Sequence, residues 1–119
     1  MKLGLILAAA LGCACGTAFA QDIGGTYTVE GTNLDGSAYA GTATIKLVTD
    51  TTCEIEWQTG STSSVAICSR NDDAFAAAYV LGEAYGLVIY KIQDDGSLEG
   101  LWTVQGKSGV GTEVLTPED

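Results

Sequence analysis

Thr52-Cys53-Glu54-Ile55-Glu56-Trp57-Gln58-Thr59-Gly60-Ser61-Thr62-Ser63-Ser64-Val65-Ala66-Ile67-Cys68 is the stretch on which the fold turns. Cys53, Ile55 and Trp57 alternate with Glu54, Glu56 and Gln58, the period of a strand with one dry and one wet face. Gly60-Ser61 then predicts a two-residue reversal, because a glycine supplies the positive φ that a tight hairpin requires. With those two residues at the tip, positions equidistant from the turn face each other, and Cys53 falls opposite Cys68. A disulfide between them would form without bending the chain. In the chain-entropy view, its closed loop of about 16 residues stabilises the fold by about 3 kcal/mol. Zinc ligation or nucleophilic catalysis by these thiols would need partners that a chain with no histidine lacks, so no metal is expected.

Outward from this hairpin the same pattern recurs. Runs of β-branched and aromatic residues at roughly 25–31, 38–48, 52–58, 62–69, 74–81, 85–92, 98–105 and 110–116 are separated by Gly, Asp, Asn and Ser, the spacing of a sandwich or barrel. Asn33-Leu34-Asp35-Gly36-Ser37 and Asp94-Asp95-Gly96-Ser97 each put an Asp-Gly pair at a turn, and both lead into a similar strand start, a faint internal repeat. Tyr27 and Val29 oppose Thr26, Thr28 and Glu30, and Trp102 and Val104 oppose Glu99, Thr103 and Gln105. Pro117, the single proline, falls at the end of the last run, where it disturbs no ladder. Half-buried strands joined by short turns can close on themselves and lose their edges. The expected fold class is all-β, a single small antiparallel, eight-stranded up-and-down β-barrel. Residues 72–81 compete with this reading, since Asp72-Asp73 is a helix N-cap signal and the alanines that follow favour helix. Gly82 and the strand spacing on both sides decide for strand.

The N-terminus reads as a signal peptide over residues 1–20. Lys2 is its basic end, Leu3 to Leu11 its apolar run, and Ala18-Phe19-Ala20 its cleavage site before Gln21. Gly12, Cys13, Cys15, Gly16 and Thr17 interrupt the apolar run, so no transmembrane segment is expected. Ala10-Leu11-Gly12-Cys13 resembles a lipobox, with Ala10 where such boxes usually hold Leu, so a lipoprotein acylated at Cys13 is the secondary reading. The mature chain, residues 21–119, has the size of one domain. The expected localisation is exported, periplasmic or secreted, where Cys53 and Cys68 would oxidise.

The full chain carries a formal charge of −10, and once Lys2 is removed only Lys46, Arg70, Lys91 and Lys107 face 15 carboxylates. Four scattered cations cannot displace the counterions of a nucleic acid, which excludes that partner class. The acidity serves solubility and would also suit a basic partner. Without histidine, the Ser-His and Cys-His nucleophile systems and the commonest general base are absent. Paired-carboxylate chemistry needs two acids in a cleft, whereas Asp35, Asp72, Asp73, Asp94 and Asp95 sit on turns and Glu54, Glu56 and Glu99 on wet strand faces. No catalytic residue and no cofactor is expected, and the Asp pairs lack the spacing of a calcium loop.

Aromatic residues recur on the inferred dry faces at Tyr27, Tyr39, Trp57, Tyr90 and Trp102. In a small barrel these are first read as packed core. Tyr27, Trp57, Tyr90 and Trp102 would wall a ligand pocket were the interior left unfilled. Tyr85 to Ile92 is apolar on both faces, which makes Leu87 and Ile89 candidates for a partner surface.

The runs Gly25-Thr26-Tyr27-Thr28-Val29-Glu30-Gly31, Gly60-Ser61-Thr62-Ser63-Ser64, Ala77-Ala78-Tyr79-Val80-Leu81-Gly82, Asp95-Gly96-Ser97-Leu98-Glu99-Gly100-Leu101-Trp102 and Gly111-Thr112-Glu113-Val114-Leu115-Thr116-Pro117 are similar to small secreted proteins of alphaproteobacteria, some of them labelled fibronectin-binding protein. The resemblance spans about residues 24–117 and implies adhesion, with no binding residues to carry over. The hairpin from Asp95 to Trp102 also resembles avidin-type barrels, so the chain looks like a small barrel of the avidin/lipocalin type. The expected function is an exported non-enzymatic binding module for a protein, the acidity suiting a basic one, or for a small apolar ligand. The alternative is a periplasmic inhibitor of a lysozyme or protease, an analogy of size, compartment and fold.

Overall fold

A computed structural model describes residues 22–118. The expected cleavage site before Gln21 and the lipobox cysteine Cys13 lie outside the described residues. Eight strands follow in order: β1 (Gly25–Thr32), β2 (Ala38–Leu47), β3 (Thr52–Thr59), β4 (Thr62–Asn71), β5 (Ala74–Leu81), β6 (Ala84–Ile92), β7 (Leu98–Val104) and β8 (Gly111–Pro117). Each pairs antiparallel with the next, and β8 returns to β1 through pairs such as Val29 with Leu115, so the sheet closes into an up-and-down barrel. Closure leaves no unpaired edge. Observed and expected strands differ only at their ends, and 74–81 is strand β5.

Turn chemistry accounts for the connections. Gly60 and Gly82 occupy the first position of two-residue turns with φ of 61° and 60°, and Asp72 does the same on the other end of the barrel with φ 56°. Asp72-Asp73 is therefore a hairpin tip. A helix there would remove β5 from the ladders it shares with β4 and β6. In the two Asp-Gly loops the Asp side chain accepts from the Ser that follows two residues later: Asp35 Oδ1 from the Ser37 amide at 3.0 Å and hydroxyl at 2.6 Å, Asp95 Oδ1 from Ser97 at 2.9 and 2.7 Å. These hydrogen bonds hold both exposed carboxyls below their usual range. The loops share one hydrogen-bond plan at opposite ends of the barrel.

The β3–β4 hairpin pairs Cys53 with Cys68, as its turn dictates, and the two are joined in a disulfide with Cα atoms 4.9 Å apart. Both cysteines are buried. They belong to a dense apolar plug at one end, where Ile23, Val29, Ile45, Ile55, Ile92, Leu98 and Leu115 pack together and Phe75 stacks on Tyr90 at 5.3 Å. The Tyr27 hydroxyl donates to the Ile23 carbonyl at 2.6 Å, tying the entering chain across this closed end.

The outside of the barrel has two characters. Strands β1 to β3 expose Thr26, Thr28, Glu30, Thr42, Thr44, Lys46, Glu54 and Glu56, whereas β4 to β7 expose Val65, Ile67, Val80, Tyr85, Leu87, Ile89 and Leu101. Among the described residues, no helix is long and apolar enough to cross a membrane.

Candidate ligand-binding site

The other end of the barrel is open, and the reason lies in which inward residues face each other across the ladders. Tyr39 on β2 sits opposite Gly31 on β1, Tyr79 on β5 opposite Gly86 on β6, and Trp102 on β7 opposite Gly111 on β8. Each ring lies on its glycine. A Cβ added at Gly86 would stand 2.1 Å from the Tyr79 ring, one at Gly111 2.1 Å from Trp102, and one at Gly31 2.5 Å from Tyr39. Only glycine admits these contacts, and glycine fills none of the lumen. Large rings held flat against the wall, next to residues without side chains, leave a cavity of about 380 Å³. The packed-core expectation therefore describes the plugged end of the barrel and not the open one.

Tyr39, Trp57, Tyr79 and Trp102 wall this cup, and Asn33, Thr59 to Thr62 and Ser64 form a polar rim. The rings meet edge to face in two pairs, Trp57 with Tyr79 at 5.6 Å and Tyr39 with Trp102 at 6.3 Å, the arrangement that ring quadrupoles favour. Their polar atoms are directed to backbone or to one carboxylate. Trp102 Nε1 donates to the Thr112 carbonyl at 3.3 Å, and the Tyr79 hydroxyl to the Thr103 carbonyl at 3.4 Å.

That carboxylate belongs to Glu113, which β8 carries inward between Gly111 and Leu115. It lines the cup at its inner end and is only 6% exposed. Its Oε1 accepts from the Tyr39 hydroxyl at 2.7 Å, and its Oε2 accepts from Trp57 Nε1 at 2.9 Å and from the Tyr90 hydroxyl. All three donors are neutral. Burial first, and then the charge of Glu113, push the tyrosine hydroxyls up: Tyr79 to about 12, Tyr39 and Tyr90 well above their ordinary value. They remain protonated donors throughout the physiological range. Donors from β2, β3 and β6 thus converge on one acidic group carried by β8.

Of the pocket residues expected from sequence, Trp57 and Trp102 stand in the cup wall. Tyr90 lies beneath it, 1% exposed, as a donor to Glu113. Tyr27 is at the opposite, plugged end, beside a smaller recess lined by Asp22, Ile23 and Gly96. Leu87 and Ile89 point outward from β6, away from the cup. Glu113 was not among the expected site residues, and the alternation of β8, with Val114 outward and Leu115 inward, was the signal that places it inside. Among the described residues no group of three or more His, Cys, Asp or Glu could hold a metal ion.

No protein-family model matches the sequence, and comparison with curated proteins finds no match. Solved structures do match in fold. A redesigned β-barrel superposes with a TM-score of 0.70 at 18% identity, over 82% of this chain and 92% of its own. A de novo designed fluorescence-activating β-barrel superposes at 0.62 and 16% identity, over 80% of this chain and 93% of its own. At these identities the likeness carries the architecture of a small eight-stranded barrel and does not extend to the alphaproteobacterial resemblance.

Proposed function

We propose that this chain is an exported, non-enzymatic binding barrel that takes one small molecule into the open cup. The observation that carries the reading is the half-filled interior: a plugged, disulfide-stapled lower half beneath a preformed aromatic cavity of about 380 Å³, within the size range of small-molecule sites. Rings immobilised on glycines need no ordering when a ligand arrives, which lowers the entropic cost of binding. The absence of histidine and of a second carboxylate in the cup wall favours binding over catalysis. Both tryptophans of the chain line the cup, so occupancy should change the intrinsic fluorescence. Titration with one-ring aromatic probes should give a saturable change at one probe per barrel. A response that never saturates, whatever the charge of the probe, would overturn the reading.

A second reading places a protein partner on the outer face. Leu87 and Ile89 are continuous across the ladders with Ala76, Ala78 and Leu101, and the turns at Asp72-Asp73, Glu83 and Asp94-Asp95 ring that face with acid. An apolar centre with an acidic rim fits a basic partner. Inhibition of a lysozyme or protease, and adhesion of the kind the fibronectin-binding label implies, both belong to this reading.

A further inference from the structure

We propose that the ligand of the cup is a small organic ammonium ion, seated with its charge against Glu113 and its carbon skeleton between the aromatic walls. The inference rests on the cup being a ligand site and goes beyond that reading by naming the ligand's charge and chemical class.

A buried carboxylate is costly unless a cation or enough donors compensate it. Glu113 has three donors, Tyr39, Trp57 and Tyr90, and each of them is a neutral dipole. A carboxylate offers about four acceptor positions. Oε2 uses two of them, on Trp57 and Tyr90, while Oε1 receives Tyr39 alone from the side chains. The cup is lined by no Lys or Arg, so its one formal charge is negative. An N–H of an ammonium ion arriving from the mouth would complete Oε1 and supply the missing counter-charge.

The walls support the same conclusion. Tyr39, Tyr79 and Trp102 each lie against a glycine and line the lumen. A cation near such rings is attracted by their quadrupoles, most strongly where water is displaced. An anion would meet both the rings and Glu113 with the wrong sign. Over the whole chain, 15 carboxylates against five Lys and Arg concentrate cations around the barrel before they enter. The charge in the cup, the rings and the charge of the whole chain all select the same ligand.

Three probes that share one ring separate the alternatives: phenethylammonium, its neutral isostere propylbenzene, and the anion phenylacetate. Each is titrated by tryptophan fluorescence and by heteronuclear NMR into the wild-type chain and into Glu113→Gln, whose fold is checked by circular dichroism. Phenethylammonium should bind the wild type at least tenfold more tightly than phenylacetate. Glu113→Gln should weaken phenethylammonium at least tenfold and change propylbenzene less than threefold. Equal binding of cation and anion, or a cation affinity that survives Glu113→Gln, overturns the ammonium proposal. Saturable propylbenzene binding in that case leaves the cup intact as an apolar site. If none of the three probes binds saturably, the cup reading falls together with the proposal. The cation-to-anion comparison is made on the wild type and stands whether or not the variant folds.

Discussion

Three side-chain donors, Tyr39, Trp57 and Tyr90, meet at Glu113, and each can be removed by itself. Tyr90→Phe removes one of its three donors while keeping the ring that stacks on Phe75. The carboxylate then keeps its burial with fewer hydrogen bonds, and the variant should lose about 1–3 kcal/mol of stability, read from the urea midpoint. The tyrosines of this site should also make the barrel alkali-sensitive. Their raised values mean that the folded state retains protons the unfolded chain releases near pH 10. This contribution is fully present below that pH and is lost as pH rises through the folded values, about 12 for Tyr79 and well above the ordinary value for Tyr39 and Tyr90. Urea midpoints should therefore fall above pH 10, and Tyr39→Phe should flatten the fall. A midpoint that does not move between neutral pH and pH 11 would contradict the assignment.

At the scale of the element, the β3–β4 hairpin and the glycine-facing strands do different work. The disulfide closes a loop whose ends are separated by 15 residues, and replacing Cys53 and Cys68 together by Ala should cost about 2–4 kcal/mol with β content unchanged by circular dichroism. Non-reducing peptide mapping should recover the two cysteines linked. Gly86 tests the other device. Gly86→Ala puts a methyl group 2.1 Å from the ring of Tyr79, and overpacking of this kind costs about 1–3 kcal/mol. Because Tyr79 packs on Trp57, the emission of Trp57 should shift in the same variant. Thr44→Ala, on the exposed outer face of β2, should leave that emission unchanged.

For the whole molecule, the unequal outer surface separates the two readings of function. Leu87→Asp or Ile89→Asp lies on the face opposite the cup-lining side chains of β6 and should leave probe binding in the cup unaltered and the fold intact. If a basic protein docks on β4 to β7, the same substitutions should raise its dissociation rate, while added salt lowers its association rate. Strand number, hairpin register, the disulfide pairing and the inward direction of Trp57 and Trp102 were legible in the sequence, because alternation and turn glycines act between residues close along the chain. Even the helix-like alanines of 74–81 gave way to this local spacing. The sequence by itself thus determined a stapled eight-stranded barrel. Only the tertiary structure decided that one half is plugged and the other open, and that Tyr39, Trp57 and Tyr90 meet at Glu113. Those outcomes depend on which ring faces which glycine across the closed ladder, and on hydrogen bonds that span as many as 74 residues of chain, distances over which no local pattern carries information.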